Sequence, residues 1–464
     1  MSALTPPVIS PITQKLAAYI AAALRKPLPR EVVEKTRHHI LDTIAAMISG
    51  SKLPPGKAAL AYVKTLGGVK QVTVAGSRLL TTTVNAALAN AMMAHADETD
   101  DSHAPSMMHP GCAIVSTALA FGELHRRDGN ALLRAVALGY DVGARLNMSL
   151  GESSFRRVGH LTHCFGPTFG ATATSAALCG FNARQVRYAL AYAAQQAGGL
   201  SSYARDTGHI EKAFDFGGMP ARNGATAASM VAAGCTATDD ILFGERGFYA
   251  AYDESARTGR APDPSILVRE LGSTFEIMRT NIKRWTVGSP IQAPLDSLLE
   301  LIREHHIKAA DVEKLVVRVS VTGANTVGDR EMPDICMQHM CAVMLLDGIA
   351  TFESAHDEKR MKNSKVLAVR KRIELIGDEE LQKKLPQRQG IVEITLRDGR
   401  TMRHHTEAVR GTADNPMSRA EVDEKCYHLM APVLGAKKSR ALCNAIWNLQ
   451  KLADVRGLRP LLQC

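Results

Sequence analysis

The chain has 464 residues, of which 45% are hydrophobic and 5% aromatic, and it carries a formal net charge of +10. Its length suits two or three domains, and no window approaches the roughly 18 consecutive apolar residues of a membrane span, so a soluble globular protein is expected. The basic runs Arg360 to Lys365 and Arg370-Lys371-Arg372 lack interleaved aromatics and any nucleic-acid motif, so small acidic ligands fit the charge better than nucleic acid or membrane.

In chain order, Met1 to Pro7 lack the basic and apolar regions of a signal peptide. The nine cysteines are scattered without a C-x-x-C pair, which points to a reducing, cytoplasmic setting. Residues 11 to 50 alternate at helical spacing, with Pro29-Arg30-Glu31 as a helix start and Gly50 as a close. Val84 to Ala94, Thr168 to Leu178 and Thr226 to Ala233 are small-residue runs suited to closely packed buried helices. Gly180-Phe181-Asn182 ends one helix and caps the next. After Leu271 the character changes. Val316 to Val321 and Ile391 to Leu396 alternate as strands, with a helix at Met337 to Ile349 and a charged stretch, Asp357 to Leu385, between them. Helical spacing returns at Arg419 to Leu434 and Ser439 to Leu452. The pattern predicts a mainly α protein: a large all-helical domain from both chain ends (residues 1–271 and 411–464) and a smaller inserted α+β domain (272–410).

Chemistry concentrates in a few places. His95 to His103, running on to His109-Pro110-Gly111, places four carboxylates and three imidazoles directly after the apolar Val84–Ala94 helix. A buried helix end of that kind shifts pKa values; the plainer reading is a polar cap. Gly159-His160-Leu161-Thr162-His163 precedes a helix whose first amides can seat a carboxylate. Lys212 precedes the Gly217-Gly218-Met219-Pro220 turn, and Lys283-Arg284-Trp285 runs to Gly288-Ser289-Pro290 at the edge of the smaller domain. Cations, helix ends, imidazoles and carboxylates together suit proton transfer next to a substrate carboxylate. No G-x-S-x-G elbow, phosphate-binding loop or dinucleotide fingerprint is present.

The ordered series of Asn85 to His103, His109-Pro110-Gly111, Gly159-His160 to Gly170-Ala171, Lys212 with Gly224-Ala225, Gly244 to Phe248, Lys283-Arg284-Trp285 and Leu345-Leu346-Asp347-Gly348 resembles the 2-methylcitrate dehydratase (MmgE/PrpD) family. That family includes cis-aconitate decarboxylases and iminodisuccinate epimerases. The resemblance implies a homodimer with an inserted lid domain, and a site between the domains that uses no metal and no organic cofactor. It implies a lyase that removes a proton α to a carboxylate of a small di- or tricarboxylic acid, with 2-methylcitrate dehydration first and epimerisation of an iminodisuccinate-like acid second. Carried over, His109, Lys212, His160, Glu98 and His339 are the candidate catalytic residues. Ser102, Asp101, Thr162, Lys283 and Arg284 are the candidate substrate contacts, and His95, Asp97 and His103 become supporting residues.

Three departures bear on the outcome. Five residues after the second lysine, where the decarboxylases resemble one another in carrying histidine, this chain has Gly288. His339 stands where they have tyrosine, and Gln292 where many members have histidine. Loss of an imidazole at Gly288 counts against decarboxylation, and His339 is a replacement acid or base. Two other classes compete: a metallohydrolase holding Mn or Zn through His95, Asp97, Asp100, Asp101 and His103, and a non-enzymatic helical binding protein with a basic surface.

Overall fold

Long runs of Ala, Leu and Met with glycine at contact positions leave helix as the favoured backbone, and helices pack here wherever small residues let them approach. A computed structural model describes residues 8–464; Met1 to Pro7, and with them the expectation about a leader, lie outside the described residues. The protein is mainly α, and its contacts divide it into two units. The first comprises residues up to Ala96, Asp100–Thr280 and Arg419–Cys464; the second comprises Asp97–Thr99 and Asn281–Ser418. The divisions near Thr280 and Ser418 compare with expected ones after residues 271 and 410. Glu276 explains the first shift, because its amide donates to Asp141 Oδ1 at 2.8 Å within the first unit.

In the first unit, α1 (Pro11–Ala22), α2 (Arg30–Gly50) and α3 (Pro54–Leu66) lead to a two-stranded ribbon, β1 (Val72–Thr73) and β2 (Leu80–Thr81), so this unit is not purely helical. Then follow α4 (Thr83–Ala94), α5 (Pro110–Leu124), α6 (Gly129–Ser149), α7 (Glu152–Arg157), α8 (Thr162–Cys179) and α9 (Ala183–Gln195). The short α10 (Ile210–Ala213) runs through a π-helical turn, Phe214–Gly218, into α11 (Met219–Ala232). The four-residue α12 (Phe248–Ala251) and α13 (Ser255–Thr258) follow. Gly180 ends α8 in the left-handed region, and Asn182 caps α9 through Gln185, as the Gly-Phe-Asn triplet predicts.

The α6–α8 crossing is backbone against backbone. A Cβ on Gly166 would lie 2.5 Å from the Gly143 carbonyl oxygen, and one on Gly170 would lie 2.6 Å from that of Gly139. Glycines four apart on each helix therefore remove the side chains that would hold the axes apart. Asn147 of α6 ties the pair further, accepting from the Gly166 amide at 2.8 Å and donating to the Thr162 carbonyl at 2.9 Å.

In the second unit, α14 (Ser289–His305) leads to β3 (Val312–Ser320), α15 (Val321–Val327), α16 (Met337–Asp347), α17 (Phe352–Ala355) and α18 (Ser364–Arg370). β4 (Ile373–Asp378), α19 (Glu379–Lys383), β5 (Gly390–Leu396) and β6 (Thr401–Thr406) complete it. The sheet order is β4-β3-β5-β6, with β3 and β4 parallel and the other pairs antiparallel. Leu315, Val317, Val392 and Ile394 bury one face against Leu295, Leu298, Met340 and Met344. Val321, expected in a strand, opens α15 instead, because Ser320 caps that helix by accepting from the Gly323 amide. β4 and β6 escape the sequence pattern: Ile373 follows a run of bases, and Thr401-Met402-Arg403-His404-His405-Thr406 is a polar edge strand.

After this unit, α20 (Arg419–Leu434), α21 (Ala436–Trp447) and α22 (Arg459–Leu462) return to the first unit, where α20 and α21 pack on α2. Among the described residues no helix is long and apolar enough to cross a membrane.

Candidate active site

Helix α4 starts cleanly, with Thr82 Oγ1 accepting from the Asn85 amide, and its buried length delivers His95 at the C-terminal end. Helix α5 starts at Pro110, which needs no hydrogen-bond acceptor for a backbone N–H, and this sets His109 at its N-cap. Between them sits the fully buried Asp100. His95 Nδ1 lies 2.9 Å from one of its carboxylate oxygens, and His109 Nδ1 lies 3.0 Å from the other. Burial opposes ionisation of Asp100, but the two imidazoles overcome it and hold the carboxyl well below the usual range. An ionised Asp100 is acceptor-only, so both rings present Nδ1–H to it, which places each lone pair on Nε2.

The neighbouring Asp101 is anchored differently. Its carboxylate accepts from the Gly111 amide at 2.9 Å and the Tyr140 hydroxyl at 2.6 Å, and meets His39 Nδ1 at 2.7 Å. With both oxygens committed in a fully buried setting, Asp101 holds the start of α5 rather than facing a ligand.

Phe216, in the π-helical turn, gathers the rest of the cluster. The His163 ring stacks on it at 3.8 Å between centroids and 8° between planes, and the His95 ring stacks at 4.7 Å. Tyr203 meets it edge-on at 4.8 Å, and Lys212 Nζ lies 5.2 Å from its centroid. His109 is 4.8 Å from His95 and 5.2 Å from His163, ring to ring. The turn passes close to α4, where a Cβ on Gly217 would lie 2.4 Å from the Ala91 carbonyl oxygen, so only glycine allows this approach. Three imidazoles and one ammonium thus meet at a single apolar ring, and two of the imidazoles share the Asp100 carboxylate.

The second unit holds the candidates Glu98, Lys283, Arg284 and His339. Lys283 Nζ donates to the Glu98 carbonyl at 2.9 Å and lies 3.2 Å from its carboxylate, both side chains being buried. Asp97 accepts from the Thr99 amide at 3.0 Å and pairs with His356 Nε2 at 3.0 Å. Burial works against a charged His356, but Asp97 outweighs it and raises the imidazole to about 9. Gln292 clasps the Lys283 loop by donating to the Trp285 and Val287 carbonyls at 2.8 and 2.9 Å. Arg284 lies 3.1 Å from Asp296, which also accepts from Trp285 Nε1. His339 is fully buried in α16, and neither ring nitrogen has a hydrogen-bond partner among the described residues. Burial, then Arg370 and Arg360, lower it to about 4, so it is neutral at physiological pH.

The sequence-derived candidates therefore fall into groups. His109 and Lys212 meet at Phe216; Glu98 and Lys283 pair with each other. Thr162 Oγ1 donates to the Met107 carbonyl at 2.7 Å, and Ser102 is half-buried. His160 stacks on Phe155 at 4.2 Å and bonds Glu254 at 2.8 Å, and no described ring contact or hydrogen bond joins it to Phe216. The imidazole that does join is His163, three residues on. His95, expected as a supporting residue, shares Asp100 with His109. Sequence reasoning also passed over Phe216, whose only signal was its place between Lys212 and the double glycine.

The metal set behaves similarly. His95, Asp100 and His109 offer donor atoms within 4.8 Å of one another, but their contacts of 2.9 and 3.0 Å are hydrogen bonds between imidazole and carboxylate. Asp97, Asp101 and His103 each serve other partners; His103 takes Ser106 at 2.7 Å and Glu276 at 3.3 Å.

Comparison with known proteins adds the family. The MmgE/PrpD N-terminal domain matches residues 14–260, and the MmgE/PrpD C-terminal domain matches residues 285–451. Cis-aconitate decarboxylase of Aspergillus terreus (strain NIH 2624 / FGSC A1156) is 23% identical over 482 residues, covering 98% of this chain and 96% of that protein. The cis-aconitate decarboxylase of Homo sapiens is 25% identical over 476 residues, covering 98% and 95%. Both domains are matched in order over most of the chain: this protein belongs to the MmgE/PrpD family.

Proposed function

We propose that the protein is a cofactor-independent lyase acting on a small di- or tricarboxylic acid, of the dehydratase type. The observation that carries the reading is the buried Asp100 carboxylate shared by His95 and His109, both of which meet the Phe216 ring that Lys212 overlies. Asp100 orients the His109 ring and stabilises the imidazolium that forms when His109 takes the proton α to a substrate carboxylate. Lys212 offsets the negative charge that then builds on that carboxylate. Loss of the β-hydroxyl as water completes a dehydration; return of the proton to the opposite face gives an epimerisation.

The names of the relatives favour a second reading, decarboxylation of cis-aconitate. Gly288 counts against it. This residue precedes α14 with φ −51°, and a Cβ placed there would meet Ile335 first, at 3.6 Å, so neither backbone nor packing demands glycine. Family likeness extends the proposal to a cytoplasmic homodimer, testable by light scattering and fractionation.

Proton NMR in heavy water with 2-methylcitrate, citrate, cis-aconitate and iminodisuccinate separates the outcomes. Dehydration of a hydroxy acid is expected. Release of carbon dioxide, or deuterium exchange with inversion and no net loss of water, would replace it with the corresponding alternative. No exchange or conversion with any of the four would overturn the reading.

A further inference from the structure

His163 is the member of the Phe216 cluster that the proposed chemistry leaves without a task. It lies on the first turn of the 18-residue α8 and is 6% exposed. Its Nδ1 has no hydrogen-bond partner among the described residues. Pro167, four residues on, cannot donate to the His163 carbonyl, so this turn is also relieved of one helical bond. The face-to-face stack on Phe216 fixes the ring plane.

The surroundings are rich in basic side chains, of which Lys212 and Arg156 are cations. His109 and His95 adjoin through the shared ring, Lys212 stands over it, and Arg156 reaches in from α7. The acidic groups on the elements around the cluster include Asp100, committed to two imidazoles, Asp206, whose carboxylate accepts from the Lys212 amide at 3.0 Å, and Asp215 of the π-helical turn, whose carbonyl accepts from the adjoining Cys164 thiol. Tyr203 contributes a ring edge at 6.4 Å. Burial first, and then its basic neighbours His109, Arg156, His95 and Lys212, hold His163 well below the ordinary imidazole range. The ring is therefore neutral before a polycarboxylate binds.

We propose that His163 takes up one proton from solvent when a polycarboxylate enters the Phe216 cluster, and so becomes a second proton carrier beside His109. Two or three carboxylates bring negative charge that offsets both burial and the cations Lys212 and Arg156, and the unpartnered Nδ1 offers a place for the proton. The substrate's own charge thus loads the group that can protonate a departing oxygen. Protonation and binding are linked, so each favours the other equally. The inference rests on the reading that polycarboxylates bind here.

The test is calorimetric titration of the full-length protein with tricarballylate, a tricarboxylate with no hydroxyl to lose, in two buffers of different ionisation heat. Uptake of about one proton per bound anion at pH 7.5 is expected, with affinity weakening by up to about tenfold per pH unit as pH rises. His163→Gln, and His163→Phe, which keeps the stack, should bind with uptake near zero. Binding without uptake by the unaltered protein, or equal uptake by the folded variants, would overturn the inference and leave the proposed function standing. Failure of tricarballylate and citrate to bind the unaltered protein would overturn both.

Discussion

Asp100 shows how one buried residue can set the behaviour of two others. Its carboxylate accepts Nδ1–H from His95 and His109, and no neutral side chain of its shape can accept from both. In Asp100→Asn, one imidazole must turn or change tautomer, so turnover should fall by about 10²- to 10⁴-fold while substrate affinity changes less. Steady-state kinetics checks that split. His356 gives a second residue-scale prediction. Its folded value of about 9 lies above the ordinary imidazole value of about 6.5, so its contribution to stability is complete below about pH 6.5. That contribution disappears as pH rises through about 9. Denaturation at pH 6 should find His356→Gln less stable than the unaltered protein by on the order of 3 kcal/mol, and at pH 10 the difference should be much smaller.

At the scale of elements, the α6–α8 crossing positions the cluster, because His163 rides on the first turn of α8. Gly166 sits against the Gly143 carbonyl and the Asn147 side chain, so an added methyl has nowhere to go without moving the helix. Gly166→Ala should cost about 1–3 kcal/mol on chemical denaturation, through overpacking. It should also lower turnover, because displacement of α8 shifts His163 against Phe216. The equivalent change at Gly234, an exposed turn at φ 98° with no atom near its Cβ position, should leave turnover unaltered.

At the scale of the molecule, helix content, the return of the C-terminal helices and the α+β character of the second unit are legible in the sequence because each rests on a local period. The small-residue runs are the α4, α8 and α11 interiors, and alternation marks β3 and β5. The edge strand β6 and the parallel β4 are not legible, since their pairing is made by distant partners rather than by pattern. The site divides along the same line. His109 and Lys212 stand in recognisable motifs. The joint role of His95, His163 and Phe216 depends on three segments meeting in space, and no spacing along the chain announces it. His160 illustrates the converse: its motif is plain, yet its ring is taken by Phe155 and Glu254.

If the imidazoles held by Asp100 exchange the proton α to a substrate carboxylate, that exchange is visible without waiting for the rest of the reaction. The decisive quantity is the rate of solvent-deuterium incorporation, in heavy water, into the acid that proves to be the substrate. The unaltered protein should exchange at least as fast as it turns over, and folded His109→Gln should lose about 10²-fold or more of that rate. Full exchange by folded His109→Gln would contradict the proton-transfer role given to His109 and Asp100.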